Sequence, residues 1–483
     1  MNQGDMDSNE CNKRRRSAIR LMFLGIMILC IGLTGCSSKQ KSSETLHDGR
    51  TLYELEGTLD TKEHVLNFTE TITYQNNEEV TLSELYLHIY GNAYQIYDST
   101  KGIQVLTVNS LSKDTLTYEV LDQNQLLKIV PEKPLEPGKA IQFKIDCKFL
   151  IPDLVDRFGY YQTQYCFSFF NPQMAVYDDA GWDLAPMSLV GDGRYHDMSD
   201  FRIKITVPKD YVVACGGVER KKEVNNESVT YTFENSNARD ICMSISDQYE
   251  IVEDEINGIK VYAYFEKNVV SQKSKDSTMQ QIKGSLDCYE TVFGDYPYDT
   301  FRMATITQKP NISVAMEYSG LIYMPREAFL DNQFANYEEV LSHEIAHQWF
   351  YGIIGNNETT EAWLDEGLTT FAVGVYLEKV KGKEQAEDYS TKGQYLKLDP
   401  IPINKEITEY QNTAYYMVCY YKAQYFLYEL RERMGEETFY SAIKEYYDTY
   451  AFKQATTEGF ISIMESNSPV DISDLVETYV ALP

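Results

Sequence analysis

Two histidines four residues apart, followed after eighteen residues by an acid, constrain this chain more than any other feature. In His343-Glu344-Ile345-Ala346-His347 both imidazoles lie on one face of an α-helix, one turn apart, so both can reach a single metal ion. Glu344 sits beside that ion, where a carboxylate can serve as a base. Glu366, in Trp363-Leu364-Asp365-Glu366-Gly367, is far enough along for a second helix to return it as the third ligand. The fold must then pack two helices against each other across a metal site. Two histidines, one carboxylate and a water leave a position open for substrate, as in a catalytic zinc site; a closed structural site uses four protein ligands. One Zn2+ per chain is expected. The chain has only six histidines, and His47, His64, His88 and His196 stand alone, as surface or hydrogen-bonded side chains do.

At 483 residues there is room for two or three domains with full cores. A net charge of −29 with 43% hydrophobic residues marks an acidic globular chain and excludes nucleic acid as a natural partner, because phosphates are repelled. Cys147, Cys166, Cys215, Cys242, Cys288 and Cys419 show no Cys-x-x-Cys spacing, so neither a zinc ribbon nor a redox motif is present. Disulfides among them are possible, no pairing can be read, and the default for each is a small buried hydrophobe.

Residues 1–35 have the form of a processing signal. Lys13, Arg14, Arg15, Arg16 and Arg20 precede the apolar stretch Leu21 to Leu33, whose thirteen residues are too few to span a bilayer comfortably. The stretch ends in Leu33-Thr34-Gly35-Cys36-Ser37-Ser38, which resembles a bacterial lipobox, with cleavage before Cys36 and lipid on Cys36. Residues 36–50 then form a lipidated flexible tether. The alternative is an uncleaved anchor. Both readings place the protein on the extracytoplasmic face of the cell membrane.

Residues 51–250 carry a β pattern. Leu85 to Tyr90 and Phe201 to Val207 alternate or run apolar at strand length, with turn signals at Asn76-Asn77, Glu136-Pro137-Gly138, Pro208-Lys209-Asp210 and Asn225-Asn226. This predicts a mostly antiparallel N-terminal domain. Residues 251–483 turn helical, with a short β region at Arg302 to Thr307 and Gly320 to Tyr323. The metal helix is expected from about Asn336 to Tyr351, with Glu338 and Glu339 in its first turn, and a second helix from Thr359 or Thr360. Tyr420, Ala423, Leu427, Leu430 and Met434 form a helical stripe that stops at Gly435. The fold class is multidomain α+β.

His343-Glu344-Ile345-Ala346-His347-Gln348-Trp349-Phe350, with Glu366 in a Trp-Leu-x-Glu-Gly context, resembles the zinc aminopeptidases of the membrane alanyl aminopeptidase (aminopeptidase N) family, of gluzincin type. Val314-Ala315-Met316-Glu317-Tyr318 stands where that family has Gly-Ala-Met-Glu-Asn, and Tyr420-Tyr421-Lys422-Ala423 where it has Tyr-x-Lys-Gly. Ala455 to Phe460 is similar to its segment near the end of the catalytic domain. The resemblance implies a saddle-like β domain over 51–250 and a thermolysin-like, mainly helical catalytic domain over 251–483.

It further implies that His343, His347 and Glu366 bind zinc, that Glu344 is general base and later acid, and that Glu317 holds the free α-amino group of a peptide. Tyr420 would donate to the oxyanion. Val314, Tyr318 and Ala423 depart from the family pattern, and the second amino-group ligand has no clear match, with Gln164 and Gln173 as candidates. The large helical C-terminal domain of longer members does not follow Pro483, which implies a more open cleft. The expected function is removal of N-terminal residues from peptides. The alternatives are an endopeptidase on the same zinc site and a catalytically idle peptide-binding surface protein.

Overall fold

The computed structural model describes residues 49–154, 157–188, 190–191, 193–309, 315–330, 337–410 and 412–481. The expected signal, Cys36, the tether to residue 48 and Val314 lie outside them.

The N-terminal half is built on a seven-stranded sheet. Thr51–Asp60, Val65–Gln75 and Ala140–Leu150 form its middle, pair antiparallel, and alternate buried with less buried residues along each strand. Gly102–Ser110 lies at one edge; Ser199–Pro208, Ser228–Ala238 and Val218–Val224 complete the other side. One pairing departs from the antiparallel pattern: Thr51–Asp60 runs parallel to Ser199–Pro208. Parallel neighbours need a long crossover, and the chain between these two carries most of the domain's other strands, including the sheets around Leu85–His88 and Gln164–Phe167.

A five-stranded sheet follows, in the spatial order Tyr249–Ile256, Ile259–Glu266, Thr300–Ile306, Leu321–Pro325 and Met316–Tyr318. It is the partition between two cores. Leu321 and Tyr323 join the core of the β half, whereas Ile322 and Met324 join the core built by the helices. The same alternation at the edge strand sends Met316 and Tyr318 to the β side and turns Glu317, between them, to the helical side.

On that side Gln272–Val292 packs against two further helices, Tyr337–Ala346 and Ala362–Lys381. The last is central: Ala362 to Leu377 are all buried, so it shows no polar face. The first ligand helix stops at Ala346, earlier than its spacing implies. His347 N–H still donates to His343 C=O, Gln348 and Trp349 then reach only three residues back, to Ile345 and Ala346, and from Gly352 the bonds run five back, from Gly352 to His347 and from Ile353 to Gln348, with Tyr351 at φ of 115°. The chain opens into a wide turn there.

Helix Ala423–Met434 buries Ala423, Leu427, Leu430 and Met434, and Gly435 ends it at φ of 86°. The segment before it, Tyr416–Lys422, is π-helical. Among the described residues the six cysteines are buried free thiols, and no helix is long and apolar enough to cross a membrane.

Candidate active site

His343 and His347 leave the first ligand helix on one face, and their Nε2 atoms stand 3.0 Å apart. Glu366, one turn into the central helix, brings Oε2 to 3.1 Å from His343 Nε2 and 3.5 Å from His347 Nε2. Tetrahedral zinc with ligands about 2.0–2.1 Å away sets them roughly 3.3 Å from one another. The three donors therefore already have the spacing of a zinc site.

The charge environment also fits. Burial works against protonation of His347, yet the charges of Asp365 and Glu317 pull its pKa well above the ordinary imidazole value. Burial opposes ionisation of Glu366, but hydrogen bonds from His343 and His347 hold it well below the carboxylate range. A buried site that draws protons onto an imidazole between carboxylates is one that a divalent cation satisfies.

Sequence reasoning missed the residue that orients this site. Asp365 Oδ1 accepts from His347 Nδ1 at 2.7 Å, with Phe350 C=O at 3.1 Å and Thr369 Oγ1 at 3.2 Å from the same nitrogen. That turns Nε2 to Glu366, where it would offer its lone pair to a bound zinc ion. The signal was present as two adjacent acids, Asp365 and Glu366, but consecutive helical positions point in different directions, so only one could be read as a ligand.

Glu344 is buried, and its Oε2 has no hydrogen-bond partner among the described residues. Burial first, and then the charge of Glu317, push its carboxyl well above the usual range. Glu317, Glu344 and His347 each bring a ligand-type atom within 4.8 Å of the others. The edge strand bearing Glu317 is pinned to the metal turn by Gln348, which accepts from Gly320 N–H at 3.0 Å and donates to Tyr318 C=O at 3.1 Å.

The π-helical turn brings Tyr420, not Tyr421, to the metal site. The Tyr420 ring stacks on His343 at 5.6 Å with an 8° interplanar angle, and its hydroxyl donates to Glu366 Oε1. Burial and the Glu366 charge raise its pKa far above normal, which keeps the proton on the donor.

The departures from the expected pattern have structural counterparts. Tyr318 points away from the candidate metal ligands, packing on Phe169 and Tyr323. Ala423 lies where a Cβ on Gly367 would come within 2.6 Å of its own. Gln164 spends its amide on Ser244, Thr305 and Thr307, and Gln173 pairs with His88 in a two-residue strand. Glu317 is met instead by Arg194, from the loop before Ser199, which no periodicity in the sequence marks.

Two helices present a two-histidine, one-glutamate site with a second carboxylate beside it, behind a sheet partition, which is the donor arrangement of a gluzincin-type zinc site. Residues 277–479 match the Peptidase family M1 domain. Aminopeptidase M1-D of Oryza sativa subsp. japonica is 26% identical over 302 residues, 58% of this chain and 34% of that protein. Glutamyl aminopeptidase of Homo sapiens is 24% identical over 308 residues, 58% of this chain and 31% of that protein. The chain thus spans about a third of the length of the curated relatives it matches.

Among solved structures, an M1 zinc metallopeptidase from Deinococcus radiodurans aligns with a TM-score of 0.64 at 18% identity, over 92% of this chain and 97% of that one. A mutant M1 zinc metallopeptidase from the same organism, bound to a Tyr-Ser-Ala substrate, aligns with a TM-score of 0.64 at 17% identity, over 91% and 96%. These show the two-domain fold. Residues 277–479 are thus similar to peptidase family M1 domains, and two imidazoles with a carboxylate make a donor set that suits zinc.

Proposed function

We propose that the protein is an aminopeptidase that hydrolyses the first peptide bond of peptides with a free N-terminus. The observation that carries this reading is the placement of Glu317: a buried carboxylate, turned by strand alternation toward the zinc ligands and Glu344. A buried carboxylate oxygen is matched by a substrate ammonium, and a blocked N-terminus brings neither that charge nor its donors.

Zinc held by His343, His347 and Glu366 supplies Lewis acidity and lowers the pKa of a water to about 7. Glu344 takes the proton of the attacking water and passes it to the departing amine; its unpartnered Oε2 is the free acceptor for that proton. The Tyr420 hydroxyl turns from Glu366 to the developing oxyanion as a donor. No covalent intermediate is needed.

The lipobox-like run ending at Cys36 supports a lipid anchor on the extracytoplasmic face of the membrane, with peptides outside the cytoplasm as substrates. The test of the activity is one peptide given to zinc-loaded protein in free and N-acetylated forms, with products followed by mass. Stepwise loss from the free form alone is expected. Internal cuts in both forms would move the protein to the endopeptidases, and no cleavage across a wide peptide library would leave an idle binding protein.

A further inference from the structure

Arg194 is fully buried and is surrounded by three carboxylates from three parts of the chain. It donates from Nη2 to Glu317 Oε1 and from Nε to Glu358 Oε2 at 3.1 Å, and its Nη1 lies 3.7 Å from Asp240 Oδ2. The Tyr351 ring lies 4.4 Å from the guanidinium carbon, and the Phe169 and Tyr318 rings each lie 5.7 Å away. Glu358 is tied twice, because its N–H also donates to Arg194 C=O at 3.0 Å.

Nε and Nη2 share one edge of the planar guanidinium, the edge that usually takes both oxygens of one carboxylate. Here two carboxylates divide it, so each is held through a single oxygen. One cation against three acids leaves a formal charge of +1 − 3 = −2, next to Glu344 and the zinc ligands. A neighbouring buried arginine shows the contrast. Arg239 spends its donors on the carbonyls of His196, Tyr351, Ile353 and Lys453, which stitches backbone together. The Arg194 side-chain contacts described above go to side chains, and one of them, Glu317, lies beside His347 and Glu344.

We infer that Arg194 is a positioning residue for amine recognition: it fixes one oxygen of Glu317, with Glu358 as its counterweight, and so leaves the other oxygen for the substrate's ammonium. This rests on the aminopeptidase reading above. Glu358 matters because it prevents Arg194 from closing on both oxygens of Glu317.

The test uses zinc-loaded full-length protein, Arg194→Lys and Glu358→Gln. Lysine keeps the charge but cannot divide an edge between two acids. Glutamine keeps the shape of Glu358 but removes its charge, which weakens its hold on Nε and lets Glu317 compete for the edge. The probes are a free peptide, its N-acetylated form, the free amino acid it releases, and acetohydroxamate, which binds the metal without an amine.

In both variants KM for the free peptide and Ki for the amino acid are expected to rise about tenfold or more, the size of one charge-assisted hydrogen bond, with kcat within about threefold and the acetohydroxamate Ki within about twofold. Unchanged amino-acid Ki in both variants, or a rise shared equally by acetohydroxamate, overturns the assignment and leaves Arg194 as a structural ion. If Arg194→Lys does not fold, Glu358→Gln decides alone. A wild-type protein indifferent to N-acetylation fails the aminopeptidase reading itself, before any variant is compared.

Discussion

Asp365 accepts from His347 Nδ1 at 2.7 Å, and that bond decides which nitrogen of the imidazole faces the metal. Glu366, the next residue, meets the same ring from its other nitrogen at 3.5 Å. Two adjacent acids on one helix thus hold one histidine from both sides.

Asp365→Asn tests this division of labour. The amide can donate as well as accept, so it no longer enforces a proton on Nδ1. Zinc affinity is expected to fall about 10- to 100-fold, read by competition with a chelator of known affinity. Wild-type affinity in this variant would show that Phe350 C=O and Thr369 orient the ring without Asp365.

Glu344→Gln separates metal binding from proton transfer. Glutamine fits the same buried space without the charge, and none of the three ligand atoms belongs to Glu344. Zinc content should stay at one per chain while kcat falls about 10²- to 10⁴-fold. Metal analysis and turnover on the same preparation give the answer, and wild-type turnover with zinc bound would remove Glu344 from the role of base.

Gly367 and Ala423 form a contact that carries Glu366 and Tyr420 toward each other. A Cβ at Gly367 would lie 2.6 Å from the Ala423 Cβ and 3.1 Å from Cys419 C=O. Gly367→Ala is expected to destabilise the protein by about 1–3 kcal/mol through overpacking. Adding Ala423→Gly opens the space and should return much of the loss in a denaturant titration. A double variant as unstable as the single one would place the strain elsewhere, at Cys419.

The zinc site was legible because its geometry is local. Four-residue spacing fixes His343 and His347 on any helix, and a following glutamate needs only one return of the chain. Strand alternation likewise foretold a mostly antiparallel β domain, and Gly435 the end of the last stripe. What escaped reading depends on tertiary closure or on breaks in periodicity. Arg194, Glu358 and Asp240 converge only when the β half docks on the partition sheet. The π turn at Tyr416–Lys422 adds a residue that the stripe from Tyr420 conceals, because 3.6-residue counting tolerates one slip near a helix start.

Glu70 shows a further mismatch between pattern and chemistry, and it yields a pH prediction away from the metal. It lies in phase with Phe68 and Ile72 on the inward face of Val65–Gln75 and is fully buried. Asn171 Nδ2 donates to its Oε1 at 2.8 Å, while Oε2 has no partner among the described residues. Burial pushes its pKa well above the ordinary glutamate value of 4.5, and the Asn171 bond opposes this only in part. The native state therefore keeps a proton that the unfolded chain releases above about 4.5. The stability this group contributes is full below that pH and is lost as pH rises toward the folded value, by up to about 1.4 kcal/mol per unit. Glu70→Gln keeps the shape and has no proton to lose. Its melting temperature should match the wild type near pH 4 and exceed it increasingly toward pH 8. All other titrating groups are common to both proteins and cancel in the difference. A gap that stays constant across this range would mean that Glu70 is ionised in the fold, with its charge met by a group other than Asn171.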